Sequence, residues 1–251
     1  MKKAAKLIIG LTVVAVASAG FAAGYISAVK SREAVLPEGF TVTAHTGCEG
    51  TRDNSLEAIE AGAAAGADIV EFDLNFTESG EPVLAHDEAQ SDSVTLTQAF
   101  EAVAEHENLR VNVDCKSTLD LKAVVEAAKQ CGVLDRIFYT GIEAEDVETV
   151  KRDTPDVKYY LNKDIEKTKK NDEEYIRSLA REVKSLGAAG LNINYRGASE
   201  KMVEIFHSEG LEVSVWTVNK TLAMHKVLAL GCDNITTRQP VKLRAVISGK
   251  Q

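Results

Sequence analysis

The stretch Ile69–Asn75, which reads IVEFDLN, decides the fold because its polar and apolar residues alternate. Successive side chains of a β-strand point to opposite faces, so Glu71 and Asp73 share one face and their apolar neighbours share the other. In a closed barrel, the apolar face of each strand packs against the surrounding helices. The stretch therefore predicts a barrel strand whose two carboxylates point into the barrel.

Short strands and helical stretches alternate on both sides of this segment, with no long structureless loop between them. This order predicts an α/β fold of the TIM (β/α)8 barrel type. A doubly wound open sheet is the alternative, but no glycine-rich phosphate loop follows the first strand. The eight predicted strands are Thr41–His45, Ile69–Asn75, Arg110–Asp114, Ile137–Thr140, Val157–Leu161, Gly190–Ile193, Glu212–Thr217 and Asn234–Thr236.

The first helix after a strand has a sequence-level start signal. Asn54 and Glu57 have the spacing of a capping box, in which each side chain bonds the backbone N–H of the other residue. We therefore predict that Asn54 caps this helix.

The amino terminus differs from the rest of the chain. Three lysines among the first six residues precede the run Leu7–Val29, which contains no charged residue. This order is typical of an export signal or an anchor whose positive end stays in the cytoplasm. Ala17–Ala19 offers a cleavage site, whereas a run of about 20 residues is long enough to span a bilayer as a helix. Both outcomes are open, and the length favours the anchor.

These signals define the expected organisation of the chain. Residues 1–30 form a signal peptide or N-terminal membrane anchor, residues 31–40 a linker, and residues 41–251 the barrel domain. The barrel is expected outside the cytoplasm, either held at the cell membrane or secreted if the first segment is cleaved.

Charge and cysteine spacing exclude two kinds of site. The chain of 251 residues has a net charge of −9, which argues against a nucleic-acid partner. The four cysteines show no C-x-x-C spacing, so a zinc site made of thiolates is not expected. Their pairing cannot be deduced from spacing.

The predicted strand Arg110–Asp114 repeats the alternating pattern of Ile69–Asn75. Asn112, Asp114 and Lys116 alternate with apolar residues, and each polar set falls near the carboxyl end of its strand, where barrel enzymes place their chemistry. Ionised carboxylates that face a barrel interior repel each other and are costly to remove from water unless a cation lies between them. Glu71, Asp73 and Asp114 therefore predict a site for one divalent cation, with Lys116 beside it.

Two histidines follow predicted strands at the same end of the barrel. His45 ends the first strand, and His86 follows a short apolar run and precedes Asp87, which can orient its imidazole. Imidazoles titrate near neutrality, so one can act as a base while the other acts as an acid.

In this order, the motifs resemble those of the glycerophosphodiester phosphodiesterase family. The likeness runs from about Thr43 to Pro240, nearly the whole predicted barrel. The matching stretches are His45-Thr46-Gly47, Arg52–Ser55, Gly66–Asp68 with Glu71-Phe72-Asp73, His86-Asp87, Asp114-Cys115-Lys116 and Trp216–Asn219.

The resemblance implies hydrolysis of a glycerophosphodiester to glycerol phosphate and an alcohol, with Mg²⁺ or Ca²⁺ as cofactor. The implied roles are acid and base for His45 and His86, metal ligation for Glu71, Asp73 and Asp114, phosphate contact for Lys116, and lining of the alcohol end for Trp216.

The sequence departs from the family pattern beside the first histidine. Thr46 stands where the family has an arginine, so one charge-assisted contact to phosphate is missing. Arg238 stands where the family has an aspartate, and we predict that it binds substrate in place of the missing arginine. Asp53 and Asp114 each replace a family glutamate and shorten its reach.

These departures leave two alternatives open. One is a barrel that binds phosphodiesters or lipid head groups without cleaving them. The other is a phospholipase D-like phosphodiesterase that forms a cyclic phosphate. In each case the expected partners are a small-molecule or lipid-derived phosphodiester and, through the N-terminal segment, the membrane.

Overall fold

A computed structural model describes residues 23–90 and 92–250 of the chain. Most of the predicted signal or anchor segment, residues 1–30, lies outside the described residues; residues 23–30 are helical. No helix within the described ranges combines the length and the apolar character needed to cross a bilayer. The boundaries of the segment and the location of the barrel stay predictions.

The predicted TIM barrel is confirmed. Within the described residues, eight parallel strands form a closed ring in which the last strand pairs with the first. A short ninth strand, β3, pairs antiparallel with β2 at the rim; it was not predicted. The strands are β1 (Thr41–Ala44), β2 (Ile69–Phe76), β3 (Pro82–Leu84), β4 (Arg110–Cys115), β5 (Ile137–Ile142), β6 (Tyr159–Asn162), β7 (Gly190–Asn194), β8 (Glu212–Trp216) and β9 (Asn234–Thr237).

Helices surround the barrel and bury its apolar outer face. Val70, Phe72 and Leu74 of β2 are buried in this layer, as the alternation predicts, and the ring of Phe72 lies 6.0 Å from that of Phe100. Burial of such side chains is the main driving force for folding. The helices are α1 (Leu56–Ala64), α2 (Leu96–Ala104), α3 (Leu121–Gln130), α4 (Val147–Asp153), α5 (Glu173–Leu186), α6 (Glu200–Ser208), α7 (Thr221–Leu228) and α8 (Pro240–Ile247).

The predicted capping role of Asn54 is wrong. Ser55 is the N-cap of α1, and its hydroxyl accepts a hydrogen bond from the backbone N–H of Ala58. Asn54 precedes the helix with a φ of 53°, a left-handed conformation that asparagine tolerates better than most residues. This conformation lets its side chain reach β2 instead of the helix terminus.

The amino-terminal end of the barrel interior is closed by apolar side chains. Ile69, Phe138 and Tyr160 form a buried cluster, and the two aromatic rings meet edge to face with centroids 5.5 Å apart. Arg110 covers Phe138 at 5.4 Å from the ring centroid. The interior is therefore sealed at this end, and access is from the carboxyl ends of the strands.

Above this cluster the interior is polar, and its side chains bond to one another. Buried hydroxyl and amide groups must find partners, because an unpaired one costs free energy. The bonds run from Thr140 to Asn112 (2.8 Å), from Asn192 to Asn162 (3.1 Å), from Ser214 to Asn192 (2.9 Å), from Asn234 to Ser214 (3.0 Å) and from Thr43 to Asn234 (2.8 Å).

The register of the parallel strands brings the predicted site residues together. Asp73 of β2 stands directly opposite Asp114 of β4, and Glu71 stands opposite Asn112 one layer below. Paired residues on neighbouring strands lie about 5 Å apart, so the pairing itself places the two aspartate side chains next to each other. The acidic cluster is thus a consequence of the barrel's hydrogen bonding.

Candidate active site

A cavity of about 350 Å³ opens at the carboxyl ends of the strands. Its walls come from β2, β4, β5, β6, β7, β8 and β9 and from loops at the carboxyl ends of the strands, including the one after β1. All eight residues predicted from the sequence to form the site line this one cavity: His45, Glu71, Asp73, His86, Asp114, Lys116, Trp216 and Arg238.

Three carboxylates converge at the floor of the cavity. One oxygen from each of Glu71, Asp73 and Asp114 lies within 4.8 Å of the others. Glu71 and Asp73 are only 6% and 3% exposed, so water screens them little. The ammonium of Lys116 contacts Asp114 and lies 3.1 Å from Asp73.

The charges of this cluster do not cancel. When all three carboxylates are ionised, they and one ammonium leave two negative charges in a space that is largely buried. Burial raises the pKa of Glu71 well above its usual range, and the carboxylates of Asp73 and Asp114 raise it further. Burial lowers the pKa of Lys116, but Asp114 and Asp73 outweigh it and leave that pKa above the usual value. The neighbouring carboxylates thus raise the pKa of both groups, in addition to the effect of burial on each.

The donor set fits a divalent cation. All three converging groups are carboxylates, and Mg²⁺ and Ca²⁺ prefer such oxygen ligands. A divalent ion also carries the two positive charges that the cluster lacks. Glu71, Asp73 and Asp114 are therefore the residues that would hold it.

A loop behind the cluster holds two of its carboxylates in place. The side-chain amide of Asn54 donates to Asp73 at 2.9 Å, and its oxygen accepts from the Asp73 backbone N–H at 3.0 Å. The hydroxyl of Thr46 accepts from the Asn54 backbone N–H, and the Thr46 backbone N–H donates to Glu71 at 2.8 Å. Thr46 and Asn54 thus orient two of the three candidate ligands, Glu71 and Asp73.

The two histidines line the same cavity, and in each of them the ring nitrogen Nδ1 forms a hydrogen bond. His45 Nδ1 lies 2.9 Å from the carbonyl oxygen of Thr46, and His86 Nδ1 lies 3.0 Å from a carboxylate oxygen of Asp87. Both partners are acceptors, so each Nδ1 carries the proton and each Nε2 is left for other chemistry. Burial lowers the pKa of His45, whereas the side chain of His86 is 65% exposed at the rim.

Arg238 lies at the rim in a two-pronged ion pair with Asp53. Its guanidinium nitrogens lie 2.5 and 3.0 Å from the two carboxylate oxygens. The hydrogen bonds from Arg238 hold the pKa of Asp53 below its usual value. The pair packs over Gly47, where an added Cβ would lie 1.8 Å from Asp53 and 2.6 Å from Arg238. A side chain at position 47 would therefore clash with this ion pair, and only glycine leaves room for it.

Several lining residues were not predicted from the sequence. Thr140, Asn162 and Thr236 line the cavity beside the acids. Each stands on the inward face of a short strand near its carboxyl end, which is the signal that would have found them. Asn192 of β7 also lines the cavity, whereas Asn194 at the end of that strand accepts a hydrogen bond from the backbone N–H of Arg196.

Comparison with known proteins identifies a family. The model of the glycerophosphoryl diester phosphodiesterase family matches residues 45–125 and 94–242. These two matches together cover the barrel from the first histidine to α8.

Individual relatives are distant but align over most of their length. YqiK, an uncharacterised protein of Bacillus subtilis, is 22% identical over 83% of this chain and 99% of its own. A glycerophosphodiester phosphodiesterase of Caldanaerobacter subterraneus is 23% identical over 80% of this chain and 95% of its own. The structure of an Oleispira antarctica phosphodiesterase in complex with sn-glycerol-3-phosphate shares the fold, with a TM-score of 0.70, 21% identity, and coverage of 85% of this chain and 97% of that one.

The contact between Asn54 and Asp73 yields a prediction about metal affinity. The Asn54→Ala variant should bind Mg²⁺ and Ca²⁺ about 10- to 100-fold more weakly, because groups that orient a ligand carboxylate affect affinity by such factors. Isothermal titration calorimetry measures the change.

Ser55→Ala is the matched control from the adjacent position. It removes the cap of α1 and should lower the free energy of unfolding by about 1 kcal/mol without changing metal affinity. Equal affinities in wild type and Asn54→Ala would show that Asp73 needs no such support.

Proposed function

Because this chain belongs to the glycerophosphoryl diester phosphodiesterase family, we propose that it hydrolyses a glycerophosphodiester to glycerol phosphate and an alcohol, using one divalent cation and two histidines. It is an enzyme of the phosphoric diester hydrolase class. The observation that carries the proposal is the convergence of two buried carboxylates, a third that is partly buried, one lysine and two histidines at a single cavity.

The acidic floor and Lys116 support binding of the phosphate group. A cation bound by Glu71, Asp73 and Asp114, either Mg²⁺ or Ca²⁺, would supply positive charge to the non-bridging phosphate oxygens. Lys116 adds a donor on the same side, since its ammonium lies against Asp73 and Asp114. Its elevated pKa keeps it charged at neutral pH.

His45 and His86 support proton transfer during hydrolysis. A bond forms between a water oxygen and phosphorus, and the bond from phosphorus to the alcohol oxygen breaks. One imidazole takes the proton of the water, and the other gives a proton to the departing alkoxide. Their Nδ1 contacts leave both Nε2 atoms available for these transfers.

Arg238 and Trp216 support recognition of the two ends of the substrate. Arg238 lies against Gly47 and lines the same cavity as Thr46, where the family has an arginine, and we propose that it contacts the phosphate there. Trp216 lines the cavity at the end of β8, and we propose that it packs against the alcohol. The sn-glycerol-3-phosphate bound to the Oleispira antarctica phosphodiesterase supports a glycerol phosphate product.

The basic and apolar residues that begin the chain support a location at the membrane. We propose that residues 1–30 act as an anchor or a cleaved signal, that residues 31–40 link them to the barrel, and that residues 41–251 work outside the cytoplasm.

An assay with glycerophosphocholine tests the proposed reaction. The purified chain should release glycerol phosphate in the presence of Mg²⁺ or Ca²⁺, EDTA should abolish the release, and added metal should restore it. His86→Ala should lower kcat about 10²- to 10⁴-fold, as expected for loss of an acid or base, whereas His106→Ala on the outer surface should not.

The products separate the remaining alternatives. A cyclic phosphate, detected by phosphorus NMR, would mark attack by a substrate hydroxyl and contradict hydrolysis by water. Absence of any product in the presence of metal would favour a barrel that only binds phosphodiesters.

The ion pair at the rim yields a separate prediction. Arg238→Ala should raise KM for glycerophosphocholine and lower kcat/KM about tenfold, because it removes one charge-assisted hydrogen bond. Arg244→Ala, which breaks a comparable pair with Asp68 away from the cavity, should leave both constants unchanged. Wild-type kinetics in Arg238→Ala would rule out its contact with substrate.

A further inference from the structure

A second cavity lies where helical residues 23–30 pack against the barrel. It measures about 610 Å³ and is walled by Tyr25 and Val29 on one side and by parts of α6, α7 and two loops on the other. We call it the basic cavity, because five cationic side chains line it and Glu200 is its one acidic residue among those described. The five are Arg32, Lys167, Lys170, Arg196 and Lys226.

These five cations have no carboxylate partner among the residues described. Other lysines in the same loop do pair, as Lys169 does with Glu166 at 3.2 Å, but none of the five has a carboxylate oxygen within 4.0 Å in the described part of the chain. Lys170 reaches only backbone carbonyls, at 3.4 and 3.5 Å. Their charge is therefore available to a ligand.

Such a concentration of positive charge is unexpected in this chain. The protein carries a net charge of −9, yet five cations and one acid give the basic cavity a net charge of +4. Like charges in one cavity repel, and a bound anion relieves the repulsion. The arrangement indicates a site for an anionic group such as phosphate.

Part of the lining of the basic cavity lies at the same end of the barrel as the active site. Tyr195 and Arg196 follow the carboxyl end of β7, and Lys167 and Lys170 follow that of β6. The backbone N–H of Tyr195, which lines the basic cavity, donates at 2.9 Å to the carbonyl of Trp216, which lines the active-site cavity, so the two linings meet at this bond.

The amino-terminal side of the basic cavity has the character of a membrane interface. Tyr25 and Ile26 are 48% and 42% exposed, and the ammonium of Lys226 lies 4.9 Å from the centre of the Tyr25 ring. Exposed aromatic and aliphatic side chains beside cations are typical of residues at the level of lipid head groups. The chain that leads into this helix is the uncharged apolar part of the run that begins at Leu7.

We propose that the basic cavity binds the phosphate-bearing head group of an anionic lipid and so turns the mouth of the active site towards the membrane surface. Unpaired cations supply affinity for the phosphate, and Tyr25 and Ile26 enter the interface beside it. The proposal concerns the orientation of the protein at the membrane surface and does not depend on its hydrolytic mechanism.

Hydrogen exchange of the full chain in lipid nanodiscs tests the proposal. Discs of phosphatidylcholine are compared with discs in which phosphatidylglycerol is mixed with it. Peptides that cover residues 163–172 and 195–200 should exchange about tenfold more slowly in the anionic discs, since each Lys or Arg gains affinity near such a surface. High salt should remove the difference.

Two double variants, each of which removes two positive charges, are compared in the same exchange experiment. Lys170→Gln/Arg196→Gln should lose the protection, whereas Lys129→Gln/Lys250→Gln, at exposed positions elsewhere, should keep it. Both should cleave soluble glycerophosphocholine like the wild type, so failure of lipid binding is separable from failure of the proposed reaction.

Three results would overturn the proposal. Equal exchange in neutral and anionic discs would mean that the basic cavity does not bind the head group. Equal protection by inorganic phosphate in neutral discs would mean that it takes a free anion instead. Loss of the protection in Lys116→Ala, but not in Lys170→Gln/Arg196→Gln, would place the lipid in the active site.

Discussion

The electrostatic balance of the barrel mouth is the constraint on which the site depends. Parallel pairing of β2 with β4 sets Asp73 opposite Asp114, and the alternation of β2 adds Glu71 to the same interior face. Lys116 neutralises only one of these three charges. Because these side chains have little contact with water, the two remaining negative charges cost free energy. A single divalent cation would neutralise both of them.

The rest of the interior serves to hold this charged group in one geometry. An aromatic cluster seals the amino-terminal end, and bonded amides and hydroxyls fill the interior around the acids. Thr46 and Asn54 then fix the carboxylates from the side. A site preorganised in this way need not rearrange when charge develops on a phosphate, which is the main source of electrostatic catalysis.

The fold and the acidic part of the site could be predicted from the sequence because both follow from the alternation of residues along strands, whereas the roles of Trp216 and Arg238 came from the family resemblance. The alternation indicated which face of β2 is apolar and which carries the acids, and it gave the order of the eight strands. It could not give the conformation of single loop residues. Asn54 looked like a helix cap, but its left-handed backbone turns the side chain to Asp73. The partnership of Arg238 with Asp53 joins positions 185 residues apart and leaves no local signal.

A crystal structure of the protein soaked with Mn²⁺, recorded with anomalous scattering, tests the central claim most directly. The charge balance predicts one strong anomalous peak between the carboxylates of Glu71, Asp73 and Asp114, at ligand distances of about 2.0 to 2.3 Å. Absence of a peak there, with Lys116 alone contacting the acids, would contradict the account. So would a metal bound elsewhere in the cavity.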